Sequence, residues 1–101
     1  MYLSYVQELA VQAVIANHVG REEFDNFFIG MKCGPILDGS FVMFVHNEYY
    51  ANHILSHYPS IIAHSIWRVT GIQVTSVSVG SIDHVRHVQD FINESFRGRR
   101  Q

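Results

Sequence analysis

The chain has 101 residues, 48% of them apolar and 16% charged, with a formal net charge of −2. That length is one domain, able to bury roughly 60–65% of its unfolded surface without staples, and the composition excludes a disordered chain. The charge balance excludes a protein held to duplex DNA by phosphate contacts.

The lone cysteine, Cys33, excludes an internal disulfide framework and reads as a small buried hydrophobe rather than a reactive thiol. No apolar run approaches the ~18 residues of a membrane span, and no basic-then-apolar leader opens the sequence. A cytoplasmic protein is expected.

The elements follow in chain order. Leu3, Val6, Leu9, Ala10, Ala13 and Val14 recur at three- and four-residue steps and predict a first helix over 3–18, stopped at Gly20. The stretch REEFDNFF predicts a short second helix with Phe24, Phe27 and Phe28 inward, ended by Gly30. MKCGPIL and SFVMFV flank Asp38-Gly39, a strong hairpin signal. Gly34-Pro35 makes the first of these an edge strand, because proline cannot donate to a ladder. Residues 41–45 are then the more central strand.

Asn47 reads as the cap of a third helix over 48–57, with Glu48 in its first turn. Pro59 suits the first position of a fourth helix, which carries Ile61, Ile62, Ile66 and Val69 inward and ends at Gly71. IQVTSVSVG predicts a strand with Thr75, Val77 and Val79 on one face. Residues 81–96 predict a closing amphipathic helix with Val85, Val88, Phe91/Ile92 and Phe96 on one side, capped by Ser81 or Asp83. Residues 97–101 read as a frayed tail. The order is α-α-β-β-α-α-β-α, an α+β domain with a small three-stranded sheet packed on helices.

Catalytic motifs are missing. There is no G-x-x-x-x-G-K-[ST] to cradle a triphosphate and no G-x-S-x-G elbow. A non-enzymatic protein without a cofactor is expected. Seven histidines include the pairs His53/His57 at i,i+4 and His84/His87 at i,i+3. Two ligands on a helix face fall short of the three or four that a stable zinc site needs, so no metal is expected.

Weak single-stranded nucleic-acid binding is the alternative reading. Tyrosines and phenylalanines would stack bases, and Lys32, Arg68 and the tail's Arg97, Arg99 and Arg100 would meet phosphates. The turn between helices three and four reads HYPS, without the glycines of a backbone-clamping G-x-x-G loop.

From residue 24 to residue 80 the pattern resembles domain I, the N-terminal domain of the bacterial replication initiator DnaA. That family shows F-x-x-W-I on helix two, an L-x-L-x-x-P-N-x-F strand-to-helix junction, a W-x-x-x-x-Y helix and a V-x-F-x-V-like last strand. Here Phe24 is followed by Phe27-Phe28. Phe41, Met43, Asn47 and Tyr49 take the junction positions, Tyr58 takes the helix-ending tyrosine, and Val77 and Val79 match the strand.

The resemblance implies a KH-like fold and a protein-binding role: recruiting the replicative helicase, binding DnaA, or receiving a regulator of DnaA. It implies that Glu23 and Tyr49 contact the partner, with Asn47 and Tyr50 beside them. By residue type alone, Glu23 is a solvated charge and Tyr49 half core. An aromatic with a polar tip beside a carboxylate also suits an interface anchor.

The family's tryptophans are absent. Glu8 and Leu9 stand on helix one where self-association would need one, and Phe27 and His53 replace the others. A homodimer, if formed, would use the first or last helix in another way. The closing helix favours a stand-alone relative over a fragment of a longer chain.

Overall fold

The computed structural model describes residues 1–82. Within them the order is α1 (Tyr5–Val19), α2 (Arg21–Glu23) continued by a π-helical turn (Phe24–Phe28), β1 (Lys32–Leu37), β2 (Ser40–Val45), α3 (Glu48–His57), α4 (Pro59–Thr70) and β3 (Ser76–Ser81). This is the expected α+β order as far as β3. The closing helix, its Asp83 cap and the tail lie outside the described residues. The other candidate cap, Ser81, is the last residue of β3.

The sheet has the order β1-β2-β3. β1 and β2 are antiparallel, joined by Asp38 (φ 50°) and Gly39 (φ 79°), the two positive φ values that a two-residue hairpin turn requires. Gly34-Pro35 falls where the register shifts between Cys33 and Ile36, so the proline sits in a bulge of an edge strand. The outer edge of β1 is covered. The Met1 carbonyl accepts from the Ile36 amide at 2.7 Å, and the Glu8 carboxylate on α1 accepts from the Cys33 amide at 2.8 Å. Burial, with the Glu8 charge beside it, pushes the Cys33 thiol up to about 12.

β3 runs parallel to β2, with Phe41 opposite Val77 and Val45 opposite Ser81. A parallel neighbour needs a crossover, and α3 and α4 supply it. β3 starts at Ser76, later than the sequence suggests. Residues 72–75 cross from α4 to the sheet, Val74 is buried on the way, and the Thr75 amide donates to the Gly39 carbonyl at 2.8 Å. Thr75 is therefore a loop residue and does not share the strand face of Val77 and Val79.

The helices cover one face of the sheet. Phe41, Met43 and Val45 point into a core shared with Val11, Ile15, Phe28, Ala51, Ile54, Ile62 and Ile66. The apolar steps that predict the helix do not mark its buried face: on α1 Val6 is 73% exposed and Leu9 46%, while Val11 and Ile15 are fully buried. α1 is apolar around most of its girth, so periodicity does not select a face. Packing on α4 and the Glu8 anchor to β1 set its rotation.

α4 turns Ile62 and Ile66 fully inward as expected, and ends in a left-handed Gly71 (φ 76°). Ser65, fully buried among them, donates to the Ile61 carbonyl at 2.7 Å.

Candidate protein-binding site

α3 begins where β2 ends. The Asn47 side chain accepts from the Tyr50 amide at 3.0 Å, as an N-cap does, and so fixes the first turn. That turn carries Tyr49 and Tyr50, and the next carries His53 on the same side.

The π-helical turn after α2 approaches from across the helix layer. Its Ile29 amide reaches back to the Phe24 carbonyl at 3.0 Å, an i→i+5 bond. Phe28 is fully buried, while Phe27 beside it meets α3. The Phe27 ring stacks on His53 at 3.8 Å between centroids and 16° between planes. It meets Tyr50 edge-on at 5.6 Å and Tyr49 at 6.5 Å. His57 stacks on the far side of the chain of rings, 4.4 Å from His53, and its Nδ1 donates to the His53 carbonyl at 2.8 Å.

Glu23 closes the arrangement. One carboxylate oxygen accepts from the Tyr58 hydroxyl and from His53 Nε2, the latter at 3.0 Å. A carboxylate only accepts, so His53 carries its proton on Nε2 here. The Tyr58 hydroxyl, then the His53 bond, hold the Glu23 carboxyl below its ordinary value of 4.5. The same bond to Glu23 raises the Tyr58 phenol above 10. The side chain of Glu23 is 28% exposed. Glu23 is therefore not the solvated charge that its residue type suggests. It ties α2 to the end of α3 and the start of α4.

The four residues expected to meet a partner do fall together, in two kinds of place. Tyr49 is 72% exposed at the head of α3. Tyr50, Asn47 and Glu23 are half-buried behind or beside it. Asn47 acts on the backbone. Glu22, Asp25 and Glu48 are exposed on the same elements, and Asp25 pairs with the exposed Arg21 at 3.8 Å. An open cleft of about 590 Å³ runs along Glu22, Glu23, Asn26 and Tyr58.

Sequence reasoning missed Phe27 and His53 as members of this surface. Only the fold shows that the two rings stack on each other.

The basic residues of the alternative reading are not gathered. Lys32 is exposed on the edge strand β1 and Arg68 is exposed on α4. Arg97, Arg99 and Arg100 lie outside the described residues. Among the described residues no group of three or more His, Cys, Asp or Glu side chains could hold a metal, and no helix is long and apolar enough to cross a membrane. No protein-family model matches the chain, and no curated protein matches it.

Proposed function

We propose that this chain is a non-enzymatic, cytoplasmic protein–protein interaction module of bacterial replication initiation or its regulation, with the replicative helicase, DnaA or a DnaA regulator as partner. One observation carries the reading: an exposed Tyr49 backed by Tyr50, Phe27 and His53, with the Glu23 carboxylate held at the edge. A ring already immobilised by neighbours loses little freedom on binding, which suits an interface anchor. The resemblance of the strand-to-helix junction to DnaA domain I supports the choice of partner class. A single-stranded nucleic-acid reading finds less support. Lys32 and Arg68 stand on separate elements, and the turn at Tyr58 is tied down by Glu23 rather than left open as a glycine clamp.

The test is calorimetric titration of the full chain into the replicative helicase and into DnaA from its own source. Binding that Tyr49→Ala weakens by about 1–3 kcal/mol supports the reading. Tyr49 is the cleaner probe, because replacing Glu23 also disturbs the α2–α4 tie. Absence of binding to both proteins at micromolar concentration, with steep salt-dependent binding to single-stranded DNA instead, favours the nucleic-acid reading.

A further inference from the structure

The two edges of the sheet differ in how they are protected. The outer edge of β1 is blunted by a proline in a bulge, by the Met1 carbonyl on the Ile36 amide and by the Glu8 carboxylate on the Cys33 amide. The outer edge of β3 carries none of these devices. From Ser76 to Ser81 it runs SVSVGS, with no charge and no proline. An uncharged, unbroken edge of this kind is a template for another strand.

The pairing with β2 fixes which backbone groups face out. The Ser76 amide donates to the Gly39 carbonyl, and Ser40 is the ladder partner of Ser76. Ser76 thus turns its backbone groups toward β2. These groups alternate along a strand, so Ser78 and Gly80 do the same, and the amides and carbonyls of Val77 and Val79 point away from β2. Among the described residues nothing bonds to them.

We infer that this edge pairs with β3 of a second copy of the chain, antiparallel, about a two-fold axis through Ser78. Three observations select that occupant. First, the outward groups are self-complementary. With Ser78 opposite its own counterpart, Val77 lies opposite the partner's Val79. Such a pair exchanges both of its N–H···O bonds, so every outward group of the two valines is satisfied. Second, neither strand brings a charge to the joint. Glu48 of α3 borders Val79, Gly80 and Ser81, and the two-fold axis sets the two Glu48 carboxylates at opposite ends. Third, the register places the partner's Val79 beside Val77, at the mouth of an open groove of about 260 Å³ walled by Pro59, Ala63 and Val74. The cross-strand valine pairs supply the apolar contact, and one continuous sheet runs through both copies.

The experiment is sedimentation equilibrium of the full chain across a range of concentrations, with Ser78→Lys and Ser78→Glu run alone and mixed. Ser78 is exposed, between the two valines that pack on the core, so both substitutions leave the core untouched. The expected result is a reversible dimer. Each variant alone weakens it about fivefold or more, because like charges then stand directly opposite, and the equimolar mixture restores it. A chain still monomeric at about 1 mM overturns the inference. So does a dimer that both variants leave unchanged, or one that the mixture fails to restore, since either puts the joint on another surface. Hydrogen exchange needs no variant: the Val77 and Val79 amides should gain protection as concentration rises. Protection there that stays constant while the chain dimerises overturns the inference as well.

Discussion

Glu23 shows how little a residue's type says about its work. Its carboxyl is held below 4.5 in the folded chain by Tyr58 and His53. A lowered folded value means a contribution to stability that is complete above pH 4.5 and lost as pH falls through the folded value. The Tyr58 shift has the opposite sense. Its folded value is raised above 10, so its contribution is complete below pH 10 and lost as pH climbs through that raised value. Urea midpoints measured across acid pH should therefore fall less steeply for Glu23→Gln than for the native chain. Equal slopes would show that the tie carries no stability.

Cys33 gives a second check of local environment. With the thiol at about 12, alkylation at pH 8 should run about a thousandfold slower in the native chain than after unfolding, because only the thiolate reacts. Native and unfolded rates within a few-fold of each other would mean that the β1 edge opens readily.

Among the elements, α3 is the one on which the proposed surface depends, and its entry is the point of control. Asn47→Ala removes the acceptor for the Tyr50 amide and should cost about 1 kcal/mol in urea denaturation. It should also loosen the ring stack at His53, read as increased exchange of the Tyr49 and Tyr50 amides. The hairpin makes an independent prediction. Gly39 sits at φ 79°, and a Cβ there would stand 3.1 Å from Thr75 Oγ1. Gly39→Ala should destabilise the fold by about 1 kcal/mol or more. Both elements were legible in the sequence because their signals are local: a capping side chain three residues from its donor, and a dipeptide with positive φ between two apolar runs. The π-helical turn was not legible. The FDNFF stretch is equally compatible with an ordinary helix, and only the i→i+5 bond from Ile29 to Phe24 distinguishes them.

Across the molecule, one core joins every described layer, and Met43 on the central strand and Ile62 on α4 are both fully buried in it. Ile62→Ala should cost about 2–5 kcal/mol, seen as a single cooperative shift by both fluorescence and circular dichroism. Two separate transitions would indicate that the helix layer and the sheet unfold independently.

The order of elements as far as β3, the edge position of β1, the caps at Asn47 and Gly71 and the Asp38-Gly39 hairpin were written in the chain itself. Each rests on contacts within a few residues, where steric and hydrogen-bonding preferences act without help from the rest of the fold. The buried face of α1, the parallel pairing of β3 with β2, and the union of Glu23, Phe27, His53 and Tyr58 were decided by tertiary structure. These join groups 30 or more residues apart in the Glu23 pairs, or choose between faces of nearly equal hydrophobicity. Local preference is silent at such separations. The winning arrangement is the one that buries Val11 and Ile15 and leaves no buried side-chain nitrogen or oxygen among the described residues without a partner.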